Sequence, residues 1–169
     1  MIRTGDPARD AAACVGVWIA AIEARDGHRA PGAVADRARS AFGHGAVRLG
    51  VSGAPIAGFA LTLGQGAAVL PGPGTASDTG ERPPVTRRTA LLNYLAVHPS
   101  AAGRGLGRAL LDDAVEFARQ DGYDEIRLEV RPTNAGAVRL YEAAGFARSP
   151  GERPHPLDGG PIVEYRRTL

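Results

Sequence analysis

The chain contains no lysine: all 20 of its basic residues are arginine. A lysine Schiff base is therefore excluded, and so is a triphosphate loop of the Gly-Lys-Ser/Thr kind. There is a single cysteine, Cys14, so no internal disulfide and no cysteine-based metal site can form. Aromatic residues make up only 5% and show no interleaving with a basic run, and net charge is a mild +2, which together argue against nucleic acid as a partner. No apolar run reaches the length of a membrane span. The four histidines, His28, His44, His98 and His155, show no metal-ligand spacing, and no metal is expected. A reduced, cytoplasmic setting fits the cysteine count.

What the chain does contain is glycine and proline (23 and 13 residues) and a length of 169 residues, which suits one domain over 1–169 with one core. The stretch "AAACVGVWIAAI", 11–22, has the apolarity of a signal peptide core, but acids flank it. Its large residues Cys14, Val15, Trp18, Ile19 and Ile22 share one helix face, so it reads as an amphipathic helix from about Asp6 to Arg25. A second helix is expected over 30–42, and a hairpin over 46–63 with its tip at Ser52-Gly53. Residues 64–88 are dense in glycine and proline and read as a long flexible loop. After it come a buried strand (89–97), a helix (103–122), a strand (123–130), a helix capped by Asn134 and ended by Gly145, and two closing strands.

Strand, glycine turn, helix, strand is one parallel βαβ unit within an otherwise hairpin-built sheet. The turn "GRGLGR", Gly103 to Arg108, is suited to a diphosphate. Amides at a helix start point outward, and glycines allow close approach. Arg104 and Arg108 add cationic heads. A dinucleotide fold meets two objections. The third glycine position of its fingerprint is Arg108, and the chain has one βαβ unit where a doubly wound domain needs several.

The segments "LAVHPSAAGRGLGRALL" and "IRLEVRPTNAGAVRLYEAAGF" resemble the core of the GNAT superfamily of acyl-CoA-dependent N-acetyltransferases. The likeness covers about 89–147, and its second half resembles the branch that acetylates the N-terminal alanine of a ribosomal protein. The resemblance implies a mixed α/β fold. Its sheet has six to seven mostly antiparallel strands around the parallel βαβ unit, with about four helices and with the two parallel strands splayed at their C-terminal ends. It implies acetyl-CoA as cosubstrate. Backbone at Leu95, Ala96 and Val97 would pair with the pantetheine arm. Gly103, Arg104, Gly105, Leu106, Gly107 and Arg108 would hold the pyrophosphate, and Asn134 would touch the pantetheine. Tyr141 is the candidate acid for the leaving thiolate and Glu129 the candidate base for the amine, a water chain from Asn93 or Tyr94 being the other base left open, with direct transfer in a ternary complex.

The chain departs from the family pattern twice. Ala102 stands where an arginine or glutamine opens the turn, and Leu91 stands where many members carry a glutamate. A CoA-binding module without turnover is the alternative these departures suggest. Ion pairing of Glu129 with Arg127 or Arg131 on its own strand is the purely structural role open to it. Cys14 lies on an apolar stripe and reads as inert. The acceptor is a small-molecule or peptide amine, its pocket expected among the first two helices, the 64–88 loop and the 149–161 loop. A homodimer is left open.

Overall fold

The computed structural model describes residues 1–43, 45–70 and 85–169. The elements run β1 (Ile2–Thr4), α1 (Pro7–Asp26), α2 (Gly32–Phe42), β2 (Ala46–Ser52), β3 (Gly58–Leu70) and β4 (Val85–Val97). Then follow α3 (Leu106–Gln120), β5 (Glu125–Val130), α4 (Ala135–Ala143), β6 (Ala147–Arg148), β7 (Arg153–Pro154) and β8 (Pro161–Thr168). The strand order is β1-β2-β3-β4-β5-β8-β6, with β7 also paired to β8. Only β4 and β5 run parallel among the described residues; the other strand pairs are antiparallel.

This is the mixed sheet expected, with four α-helices and eight strands, rather than six or seven, among the described residues. The extra strand is the two-residue β7, inside a segment whose proline and glycine content hides any strand alternation. The flexible loop expected over 64–88 is corrected at both ends. β3 continues to Leu70 and β4 begins at Val85, the two pairing as far as Leu70 with Val85. Backbone pairing carries these ends despite their composition; residues 71–84 lie outside the described residues.

The sheet carries a core on each face. On one, α3 and α4 pack Leu110, Leu111, Ala114 and Tyr141 against Ile126 and Leu128. On the other, α1 and α2 pack Cys14, Val15, Ala38 and Phe42 against β2 and β3. Asp6 starts α1 as expected, its side chain accepting from the Ala8 amide at 2.9 Å. The buried stripe shifts slightly from the expected one. Val17 is buried while Trp18 is half-buried, its ring edge-on to Tyr94 at 4.9 Å. α3 has Leu110, Leu111 and Ala114 fully covered. Truncating either leucine to alanine would cost ~2–5 kcal/mol.

One irregularity positions everything that follows. β3 residue Leu61 pairs with Tyr94 while the next, Thr62, pairs with Leu92, so Asn93 is an extra residue in β4. Such a bulge bends a strand and shifts the phase of its side chains. Ala90 and Leu92, before the bulge, belong to the α3/α4 core; Tyr94 and Ala96, after it, belong to the α1/α2 core. Leu95 and Val97 turn to the α3/α4 side in their place.

Candidate active site

Beyond the bulge the two parallel strands separate. β4 and β5 pair from Thr89–Glu125 to Leu92–Leu128 and no further. Neither strand ends there. β4 continues along β3 to the Val97–Gly58 pair, and β5 continues along β8 to the Val130–Val163 pair. Among the described residues, the edge of β4 facing β5 past Asn93 therefore has no strand partner. Leu95, Ala96 and Val97 line this opening from one side.

The glycine turn closes the mouth of the same opening. After β4, a short 3-10 turn over Pro99–Ala101 is held by the His98 amide on the Ala57 carbonyl at 2.8 Å. Gly103 and Gly105 then both adopt φ of +75°. A Cβ at either would meet nothing within 4 Å, so glycine is required there by conformation, with open space in front. Gly105 caps α3 without a side chain, and the first bond of the helix runs from the Ala109 amide to the Gly105 carbonyl at 3.0 Å. The amides ahead of Ala109, those of Leu106, Gly107 and Arg108, thus have no helical acceptor and stand at the positive end of the dipole.

The side chains of the turn divide by role. Leu106 packs inward, close over Gly58, and offers only its amide. Arg104 is exposed and forms no ion pair among the described residues. Arg108 does not present its head beside that of Arg104, as its position in sequence suggested. Its Nε bonds Asp112 at 2.9 Å and its Nη1 donates to the Ala143 carbonyl at 3.2 Å, tying the start of α3 to the end of α4. A carboxylate one turn along its own helix and the exposed carbonyls of a helix end are nearer partners.

Asn134 caps α4, its Oδ1 accepting from the Ala137 amide at 3.3 Å. Tyr141 follows on that helix with its ring in the α3/α4 core, 6.1 Å from the ring of Phe146. Its hydroxyl makes no hydrogen bond among the described residues. Burial pushes its pKa up to about 12, so the phenol stays protonated at any working pH and can donate a proton.

Glu129 lies on the opposite face of β5, away from the α3/α4 core, beside the first unpaired step of the gap. The partners expected for it, Arg127 and Arg131, are engaged elsewhere. Arg127 reaches Glu164 at 3.5 Å and also Gln65; Arg131 reaches Asp158 at 2.5 Å. Glu129 is instead gripped by Arg153 of β7, through Nε at 3.0 Å and more closely through Nη2. The carboxylate holds the Arg153 pKa above its ordinary value. A cavity of about 610 Å³ opens here, lined by Glu129, Arg148, Ser149, Arg153, Glu164 and Arg166.

A smaller hollow of about 240 Å³ lies on the same face next to the bulge, lined by Arg37, Ser40, Leu63, Asn93 and Tyr94. The loop from His155 to Gly160 reaches toward it. His155 is held below its usual pKa by burial, with the Arg131 and Arg37 guanidiniums adding to the effect. α2, the end of β5 and the loop before β8 therefore converge. Residues 71–84, expected to cover this region, lie outside the described residues.

Sequence reasoning did not pick out Arg37, Arg153 or Glu164. They sit in segments with no motif; the pairing of β5 and β7 with β8 brings Glu164 and Arg153 to Glu129, and the packing of α2 brings Arg37 to Tyr94. Cys14 is buried, and burial first, then Asp10, pushes its thiol to about 12, consistent with an inert packed side chain. No described helix is long and apolar enough to cross a membrane.

A strand pair that parts above a glycine turn, between two helical layers, is the arrangement of an acyl-carrier transferase fold. The model of the acetyltransferase (GNAT) family matches residues 27–146, more than half of the chain, and the chain belongs to that family. The Escherichia coli K12 [ribosomal protein bS18]-alanine N-acetyltransferase is 44% identical over 57 residues, 34% of this chain and 38% of the relative. The chain's matches span between 20% and 38% of the length of five curated relatives that it matches. Among solved structures, the E. coli ribosomal-protein-S18-alanine N-acetyltransferase superposes with a TM-score of 0.66 at 22% identity, over 100% of this chain and 93% of the other. The Salmonella typhimurium protein yncA, determined with its cofactor acetyl-CoA, gives 0.64 at 21% identity over 100% and 93%.

Proposed function

We propose that this chain moves an acetyl group from acetyl-CoA to a primary amine by direct transfer within a ternary complex. The observation that carries this reading is the parting of β4 from β5 after Leu92–Leu128, directly beneath the bare amides of the turn. The open space before Gly103 and Gly105 suits a diphosphate approaching backbone. The likeness to a family member determined with acetyl-CoA supports the same choice of carrier.

Acetyl-CoA supplies an acyl carbon activated by a thioester. The amides from Gly103 to Arg108 hold its diphosphate, with Arg104 adding charge. The free edge of β4 at Leu95, Ala96 and Val97 takes the pantetheine arm as an added strand, with Asn134 across the gap. An amide of β4 near Val97 donates to the acyl oxygen as it gains charge. Glu129, once Arg153 is displaced, takes the proton that makes the amine a nucleophile. Tyr141 protonates the departing sulfur as the carbon–sulfur bond breaks and the carbon–nitrogen bond forms.

One observation favours a second reading, a CoA-binding module without turnover: Glu129 already has a full countercharge in Arg153. A single experiment separates the two. The protein is incubated with acetyl-CoA and a panel of amines, and free thiol and the mass of each amine are followed. Thiol release matched by a one-acetyl mass gain in an amine supports transfer. Tight CoA binding with no release for any amine rejects transfer in favour of the module.

A further inference from the structure

The gap is bordered by arginines, and all but one of those lining or facing the two cavities are spoken for. Arg127, Arg131, Arg148, Arg153 and Arg166 each pair with a carboxylate. Arg37 pairs with none among the described residues. It projects from the exposed side of α2 into the smaller hollow, against the Tyr94 hydroxyl, with the Asn93 side chain also on the wall.

The position of the hollow relative to Glu129 follows from register. The last parallel pair is Leu92–Leu128, so Asn93 and Glu129 are the next residues on their strands, facing each other across the first open step. Leu91 and Arg127, one pair earlier, have the same parity, which puts Asn93 and Glu129 on the face shared by both cavities. Paired strands lie ~4.8 Å apart and these two have parted, so a group in the Arg37 hollow sits on the order of 10 Å from an amine held at Glu129. One end of such a molecule meets a carboxylate; the other meets a guanidinium with no carboxylate partner among the described residues, a phenol hydroxyl and an amide. Arg131, paired with Asp158, lies on the same side, and with Arg37 it helps hold the His155 ring below its usual pKa.

We infer that the acceptor carries a carboxylate several bonds from its reactive amine, and that Arg37 is the specificity-determining residue that binds it. This rests on the acetyl-transfer reading for the identity of the amine end, while the anion site stands on Arg37 alone. A guanidinium and a carboxylate meeting in a half-open hollow form charge-assisted hydrogen bonds, strong enough to select between acceptors that differ only there.

The test uses ε-aminocaproate, its amide and hexylamine as matched probes on the full chain loaded with CoA or acetyl-CoA. Binding is measured by calorimetry and transfer by thiol release. Wild type is expected to bind ε-aminocaproate about tenfold more tightly than the amide. Arg37→Ala should abolish that difference by weakening the carboxylate probe only, and Arg37→Lys should restore part of it. Arg39→Ala, an exposed neighbour already paired with Asp36, should leave the preference intact and control for changes in α2. An equal preference in wild type and Arg37→Ala, or no preference in wild type, overturns the inference. Arg37-dependent binding of ε-aminocaproate upholds the anion site whether or not thiol is released, so its outcome stays separate from that of the amine panel, which decides acetyl transfer.

Discussion

The two sides of the gap are built on different principles. The side proposed for the carrier, from Leu95 to Arg108, is one continuous stretch that offers mainly backbone: a strand edge unpaired among the described residues, two glycines at φ +75° and the amides that open α3. The side proposed for the acceptor has no continuous stretch. It is assembled from side chains of α2, β5, β7 and the loop before β8, nearly all of them held in ion pairs. Backbone recognition tolerates change in side chains and constrains conformation. Side-chain recognition does the reverse, so one half of the site is free to vary while the other is fixed by geometry.

The largest effect should come from attacking the backbone half. Gly105→Glu forces a non-glycine residue to φ +75° and adds a negative charge, and CoA affinity measured by calorimetry should fall about a hundredfold. Gly107→Ala isolates the ligand from the fold. Its Cβ would meet Leu140 and Val97 at 3.6 and 3.7 Å, ordinary contact, and alanine favours a helix by ~1 kcal/mol. Its melting temperature should hold or rise while CoA binding weakens. Unchanged CoA affinity in both variants would break the contrast between the two sides.

Next in size is Tyr141→Phe, expected to lower kcat about a hundredfold with CoA affinity unchanged. Because the phenol titrates near 12, Tyr141 should contribute no loss of rate below about pH 11. An alkaline limb at lower pH that disappears in the phenylalanine variant would contradict its role as a buried acid.

The Glu129–Arg153 pair should give smaller effects of opposite sign. Glu129→Gln, which removes the proposed base, should lower kcat as well as raise KM for a cationic amine severalfold, and Arg153→Ala should lower KM by removing the resident competitor. Parallel losses in both variants would mean the pair is a strut rather than part of the acceptor site.

The smallest effect lies outside both sides. Asp10 is held at about 2 by the Arg3 guanidinium and then the Asp6 amide. A depressed carboxylate adds stability above its unfolded value near 4, and that stability is lost as pH falls toward 2. Asp10→Asn should therefore melt earlier than wild type at neutral pH and equally at pH 2, with CoA affinity unaltered.

Legibility in the amino-acid sequence divides along the same line. The βαβ unit, the Asp6 and Asn134 caps and the turn at Gly103 and Gly105 are local: each depends on residues within a few positions, and each is found where the pattern puts it. The continuation of β3 and β4 into 64–88 is hidden because long-range pairing overrides glycine-rich composition. The turn of the Arg108 head onto Ala143, and the hold of Arg153 on Glu129, join residues 35 and 24 positions apart, which no local period encodes. Arg37 is illegible for the same reason. Nothing around it in sequence says that α2 will lie over Tyr94.

The extra residue at Asn93 gives the strand two identities. Before it, Ala90 and Leu92 face the α3/α4 layer; after it, Leu95 and Val97 face that layer and Tyr94 and Ala96 the other, along an edge that meets no strand of the β5 side among the described residues. Deleting Asn93 would leave Tyr94 on the α1/α2 side and restore plain alternation, taking the bend out of β4 where the β4–β5 ladder now stops. The cleft thus begins where β4 carries one residue more than β3 beside it, and the glycine turn lies on the far side of that step.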